Sequence, residues 1–225
     1  TIHTQQFKDG DTHKMFYGCY GGVPYLKGIN RMTALSESED GVKWNKPHIG
    51  VINLDGSTEN NLVWKGPGTK MGIFVDQNPD PRNKDRYKAI ACVGKNTVGT
   101  KHKYRQESII SMSSPDGLSW NLISEKPIFT DGPFDTHNTA FWDTIREEYV
   151  VYARSVNGNG DFGQGAFNES ARSFKDGVRW IRRSTSKDFV NWSSWEQIDC
   201  GGTPWEHLYT NACIQYERSP GIYIM

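Results

Sequence analysis

One short phrase occurs three times in the chain. Ser38-Glu39-Asp40-Gly41-Val42-Lys43-Trp44, Ser114-Pro115-Asp116-Gly117-Leu118-Ser119-Trp120 and Ser186-Lys187-Asp188-Phe189-Val190-Asn191-Trp192 share one pattern: Ser-x-Asp, a Gly or an aromatic, two more residues, then Trp. The tryptophans stand 76 and 72 residues apart. Recurrence at a near-constant interval marks stacked copies of one structural unit. The phrases themselves read as structural turns. Asp bonds its own backbone, Gly accepts positive φ, and the Asp-Gly pairs at 40–41 and 116–117 suit tight hairpins, with each Trp covering a sheet end.

The unit is built of strands. Lys14 to Tyr20, Tyr87 to Val93 and Tyr149 to Arg154 are aromatic and β-branched runs, the composition of buried strands. A further strand leads into each phrase, over Arg31 to Ser36, Ser108 to Ser113 and Arg179 to Ser184. No amphipathic helix is evident. Asn53 to Lys70 and Ser155 to Lys175, rich in Gly, Asn and Ser, read as loop insertions. The expected fold is all-β, a β-propeller of four-stranded antiparallel blades. Repeat-like blocks fall at about 1–70, 71–130 and 131–200, and a further one starts over 204–225. Propellers close with roughly four to eight blades, so about three blades of a longer chain are expected. Either more chain or an oligomeric partner would then cover the raw sheet edges.

Charge narrows the partners. Lys plus Arg and Asp plus Glu are equal at 26 each, which gives no basic face for nucleic acid. No apolar run approaches the ~20 residues of a membrane helix. Cys19, Cys92, Cys200 and Cys213 lack metal-ligand spacing. Cys19 and Cys92 occupy matching strands and read as free thiols, while a Cys200–Cys213 pair stays open. No cofactor is called for, and a structural calcium in the central funnel is allowed for.

The chemistry is expected on the innermost strand of each blade. Three segments, Phe74 to Asp80, Phe134 to Asp143 and Glu206 to Cys213, each carry a carboxylate followed by an Asn: Asp76 and Asn78, Asp135 and Asn138, Glu206 and Asn211. Converging carboxylates are what glycoside hydrolysis requires, one to protonate the leaving oxygen and another to attack, activate water or balance oxocarbenium charge. The catalytic candidates are Asp76, Asp135 and Glu206. Asn78, His137, Asn138, Trp142, His207, Tyr209 and Asn211 are the candidate substrate contacts, and Asp143 reads as a turn residue.

On these blades, on Trp44 to Pro47 with Asn60 to Trp64, on Phe134 to Asp143 and on Glu206 to Ala212, the chain resembles the five-bladed propeller glycosidases. These are the relatives of glycoside hydrolase families 32, 43 and 117, in an uncharacterised bacterial branch. The resemblance implies a hydrolase of oligo- or polysaccharides, with Asp135 as the transition-state stabiliser and Glu206 as the general acid. It implies a secreted or periplasmic enzyme of polysaccharide degradation. The Arg-Asp-Pro and Glu-Cys motifs of the invertases are absent, so a fructosidase is not indicated. Thr1 to Lys8 offers no match for the first-blade Asp, which leaves Asp76 or an upstream residue for that role. Two alternatives stand beside this reading: a non-catalytic glycan-binding propeller, and a protein-interaction scaffold.

Overall fold

A computed structural model describes residues 4–21, 30–80, 82–94, 107–130, 132–158, 177–202 and 206–225. Among these, three four-stranded antiparallel sheets and one hairpin follow in chain order. The first sheet holds β1 (Thr4–Asp9), β2 (Thr12–Gly21), β3 (Asn30–Ser38) and β4 (Leu62–Trp64). The second holds β5 (Thr69–Val75), β6 (Tyr87–Val93), β7 (Ser108–Ser114) and β8 (Asn121–Leu122). The third holds β9 (Thr139–Asp143), β10 (Glu148–Gly158), β11 (Gly177–Ser186) and β12 (Glu196–Gln197). The hairpin pairs β13 (Ile214–Gln215) with β14 (Tyr223–Ile224). Each sheet is a meander, every strand pairing with the next in sequence.

The first strands of successive sheets meet: β1 packs on β5, β5 on β9 and β9 on β13. They therefore form the inner wall, and β4, β8 and β12 the outer edge. This is the blade arrangement of a propeller. The faces between blades form the core. Phe16, Leu35 and Val63 of the first blade pack on Met71, Ile73, Tyr87 and Met112 of the second. Phe74, Ile90 and Ile109 of the second pack on Trp142, Tyr149 and Val151 of the third. All seven residues of β6 are buried, because this strand lies between two blades and both of its faces are covered.

The repeated phrase is a set of side-chain-capped turns. Asp40 Oδ1 accepts from the Val42 and Lys43 amides and from Ser38 Oγ, and Ser38 Oγ accepts from the Gly41 amide. Ser114 with Asp116 and Ser186 with Asp188 repeat this pattern bond for bond. Position four needs a left-handed backbone, with φ of +73° at Gly41, +78° at Gly117 and +64° at Phe189. Glycine adopts that conformation freely. Phe189 tolerates it because its fully buried ring packs against Phe74, Tyr149 and Trp192. The turns are thus longer than two-residue hairpins: Glu37 next pairs with Asn45, beyond the whole phrase.

A second repeat joins the blades. Asp9, Asp76 and Asp143, spaced 67 residues apart, stand at the C-terminal ends of the inner strands. Each accepts a hydrogen bond from a tyrosine hydroxyl of the following blade: Tyr87, Tyr149 and Tyr223. A cation joins each pair, Lys14 on Asp9, Lys88 on Asp76 and Arg146 on Asp143. These are inter-blade latches. Asp143 also caps the turn after β9, accepting from the Ile145 and Arg146 amides, in line with its reading as a turn residue.

Two sequence expectations are corrected here. Leu62–Trp64 forms the outer strand β4 inside the stretch read as an insertion. Three residues in a Gly- and Asn-rich setting are too few to show a strand pattern. Ser155 to Gly158 belong to β10, while 159–176 lie outside the described residues. No disulfide joins Cys200 to Cys213, and Cys19 and Cys92 form none either.

Candidate active site

The opposite ends of the inner strands, where β1, β5 and β9 begin, carry a different kind of cluster. Asp135 lies just ahead of β9, with its side chain 55% exposed. Its carboxylate forms an ion pair with Arg154, a β10 residue whose own side chain is only 4% exposed. Arg154 Nε also donates to the Pro133 carbonyl at 3.0 Å, which fixes the guanidinium under the carboxylate. The Asp135 amide donates to Glu107 Oε2 at 3.0 Å, and Lys70 Nζ donates to the Asp135 carbonyl oxygen. Asp135 is therefore held from three blade elements at once. Pairing with a guanidinium suits a carboxylate that stays ionised.

Lys70 reaches that position through local backbone distortion. The β5–β6 register shifts between Thr69 and Gly72, and Lys70 has φ of +57°. Bulges re-aim side chains near functional sites, and left-handed non-glycine residues concentrate there. Gly72 lets the next stretch of β5 lie against the segment before β9, since a Cβ there would stand 2.4 Å from the Asn138 carbonyl oxygen. Burial lowers the affinity of the Lys70 amine for its proton; Cys92 and Glu107 oppose this, and Arg31 and Arg154 add to it. Burial also lowers the Arg154 pKa, and it pushes the Cys92 thiol up to about 12, helped by Glu107.

His137 is buried, which lowers its pKa. Its Nε2 donates to Oε1 of Gln5 at 3.0 Å, linking the third blade to the first strand of the first. Along β1, Gln5, Phe7 and Asp9 share one half-buried face. One short strand thus contributes to the site, the core and a latch. The segment before β13 closes the group. Thr210 shares a hydrogen bond with Thr136 at 3.2 Å, and the Arg179 amide donates to His207 Nδ1 at 3.0 Å. The Tyr209 ring, 61% exposed, lies 5.0 Å from the Arg179 guanidinium and 5.9 Å from that of Arg154. Glu206 is exposed beside His207. Leu208 packs toward Val150, Tyr152 and Cys213, and Trp205 lies outside the described residues.

Asp135, His137, His207 and Tyr209 thus lie toward one end of the inner strands, with Glu206 next to His207 in the chain. Asp76 and Asn78 do not join them, which corrects the sequence expectation. Asp76 sits past the far end of β5, its side chain fully buried, 2.6 Å from Lys88 Nζ and bonded to Tyr149 and Asn83. Asn78 donates to the Tyr149 hydroxyl at 3.0 Å in the same latch. Trp142 is a core residue, edge-on to Tyr149 at 4.8 Å. Asn211 is buried, accepts from Thr139 and the Cys213 amide, and donates to the Tyr152 carbonyl. Asn138 is 2% exposed and donates to the Phe134 and Thr136 carbonyls, shaping the loop that presents Asp135. Lys70, Glu107, Gln5 and Arg154 complete the cluster. The first three were not singled out from sequence, because no motif surrounds them and only the bulge and the strand ends bring them in. Among the described residues no three His, Cys, Asp or Glu side chains gather as cation ligands.

No family model and no curated protein matches the chain. Solved structures do. The Bombyx mori GH32 beta-fructofuranosidase aligns with a TM-score of 0.57 at 13% identity, over 96% of this chain and 40% of that one. A structure titled simply glycoside hydrolase gives 0.54 at 15%, over 93% and 59%. A family 117 glycoside hydrolase of the marine bacterium Zobellia galactanivorans gives 0.52 at 11%, over 89% and 46%. The fold is that of the β-propeller glycosidases. At such identities the likeness extends to the propeller itself, and the chain spans 59% or less of the length of these structures. Within the propeller, the two ends of the inner strands divide labour: one holds the latches, the other the cluster around Asp135.

Proposed function

We propose that this propeller hydrolyses glycosidic bonds of an oligo- or polysaccharide at the Asp135 end of its inner strands. The observation that carries the reading is the setting of Asp135: a half-exposed carboxylate held in place by Arg154, Glu107 and Lys70. An anion fixed by the protein before substrate arrives needs little reorganisation to balance an oxocarbenium-like transition state. Glu206 is the proton donor in this reading. Its carboxyl is open to an incoming leaving group, and His207 is anchored beside it through the Arg179 amide. Glu107 positions Asp135 through its backbone amide. Tyr209 offers an exposed ring to the apolar C–H face of a sugar. One of the similar structures is a variant of the silkworm enzyme in complex with sucrose, which supports a carbohydrate as the ligand class.

Screening the intact protein on aryl glycosides and on plant or algal oligosaccharides tests the reading. Glu206→Gln should slow poor leaving groups far more than activated aryl ones, which need little protonation. Asp135→Asn should slow both alike. Equal ratios for the two variants would remove the acid role from Glu206. A second reading, a glycan-binding propeller without catalysis, draws on the exposure of Glu206, since a general acid is commonly kept protonated by an apolar setting. Saturable oligosaccharide binding with no turnover across the panel would favour it.

A further inference from the structure

We propose that His207 is a positioning residue: its neutral imidazole clasps the segment Glu206 to Thr210 onto β11, and protonation of the ring opens the clasp. This rests on the reading of the Asp135 end as a glycan site, and it adds how that site is regulated. Two bonds make the clasp. The Leu208 amide donates to the Arg179 carbonyl at 2.9 Å, and the Arg179 amide donates to His207 Nδ1 at 3.0 Å. Both main-chain groups of Arg179 are thus engaged, as in an antiparallel pair. An imidazole nitrogen stands where a strand carbonyl would accept. The segment does not run straight into β13, because Ala212 has a left-handed backbone with φ of +45°. At its other end Thr210 bonds Thr136, in the loop that presents Asp135. The exposed Tyr209 stands between these two anchors in the chain.

The acceptor dictates the protonation state. A ring nitrogen that accepts from an amide carries no proton, so the neutral ring holds its proton on Nε2. A proton added at Nδ1 turns the acceptor into a donor facing an N–H, and the bond is lost. Imidazole is the side-chain type that changes charge between about pH 5 and 8, whereas a carbonyl in the same place would hold at every pH. The charged and titratable groups around the ring are Arg179 of β11, Glu206 and Tyr209 of its own segment and, across the Tyr209 ring, Arg154 of β10. A hydrogen bond of this kind shifts a local equilibrium by roughly two- to tenfold. That is enough to loosen one segment and too little to unfold the propeller.

Nuclear magnetic resonance of the intact, nitrogen-15-labelled protein tests the clasp without a substrate. At pH 8 the His207 ring should show an unprotonated Nδ1 and a protonated Nε2. Exchange of the Arg179 amide with water, corrected for its intrinsic pH dependence, should quicken roughly two- to tenfold between pH 8 and pH 5.5. His207→Asn sets a carboxamide oxygen close to the place of Nδ1 and does not titrate, so its Arg179 amide should stay protected at both pH values. His207→Gln sets the acceptor one bond further out and should leave that amide unprotected at both. A ring protonated at Nδ1 at pH 8, or Arg179 exchange that is the same in all three proteins, overturns the proposal. On any aryl glycoside that the protein turns over, kcat/KM should fall roughly two- to tenfold further from pH 8 to pH 5.5 in the wild type than in His207→Asn. Identical profiles overturn the positioning role. The expected tautomer and exchange without turnover of any glycoside keep the clasp and remove the hydrolase reading.

Discussion

Asp76 and Asp135 are both carboxylates near inner-strand ends, and replacing Asp76 distinguishes their roles. The Asp76 side chain is fully buried, and that of its counter-ion Lys88 is 8% exposed. Asp76→Ala leaves the ammonium buried without its anion, and removing one partner of a buried pair costs about 3–5 kcal/mol. Tyr149→Phe keeps the ring in the core and deletes one hydrogen bond to a charged acceptor, a loss of about 1.5–3 kcal/mol. Asp76 retains Lys88, Asn83 and the Asn78 amide in that variant. Urea unfolding followed by Trp fluorescence reads the difference. With a slope of about 2–3 kcal/mol per molar, Asp76→Ala should lower the midpoint by roughly 1–2 M and Tyr149→Phe by about half as much. Turnover of folded Asp76→Ala should stay near wild type. Six residues of extended strand at about 3.3 Å each put Asp76 roughly 20 Å from Lys70. A change under about 1 kcal/mol in Asp76→Ala would refute the latch. Lost turnover in a variant still folded at the assay temperature would return Asp76 to the chemistry.

The Asp9 latch sets an acid limb. Burial alone would raise the Asp9 pKa, but hydrogen bonds from Arg86, Tyr87 and Lys14 outweigh it and hold the value at about 2. The folded form therefore resists protonation, so stability present above about pH 4 is lost as pH falls toward 2; Asp9→Asn should flatten this limb in acid titrations of the unfolding midpoint. At Phe189, glycine relieves about 1 kcal/mol of left-handed strain but loses a buried ring contributing about 3–5 kcal/mol. Phe189→Gly should thus destabilise, and Phe189→Ala should unfold at lower urea than Phe189→Gly; the reverse order would show that the backbone is unstrained. Burial pushes the Cys92 and Cys213 thiols up to about 12, so a disulfide reagent at pH 8 should label them only on unfolding. Rapid labelling of either in the native protein would contradict their burial.

The blades were legible because their strands are long and doubly covered. Tyr87 to Val93 reads as a buried strand and forms β6 without change, and the Ser-x-Asp phrase marks the same capped turn in each blade. The short outer strands β4, β8 and β12 leave too little pattern to read. The cluster at the Asp135 end was half legible. Asp135, His137 and the segment from Glu206 stand out as polar residues ahead of inner strands. Aligning Phe74 to Asp80 with Phe134 to Asp143 by sequence groups Asp76 with them. In the fold, β5 ends at Val75 whereas β9 begins at Thr139, so the two segments lie at opposite ends of their strands. The 67-residue recurrence of Asp9, Asp76 and Asp143 is the signal that separates them. Lys70 and Glu107 carry no sequence signature, since a bulge and tertiary contact alone place them.

Steady-state hydrolysis by Asp135→Asn tests the central reading most directly, on whichever glycoside the intact protein turns over. Asparagine keeps the shape and an acceptor for Arg154 and removes the charge. Unfolding midpoints measured alongside show that the propeller persists. If Asp135 balances the transition-state charge, kcat should fall by about a hundredfold or more, as when one electrostatic stabiliser is removed elsewhere, with the midpoint little changed. Turnover within a few-fold of wild type in a folded Asp135→Asn protein would contradict it, and would place the chemistry elsewhere on the propeller.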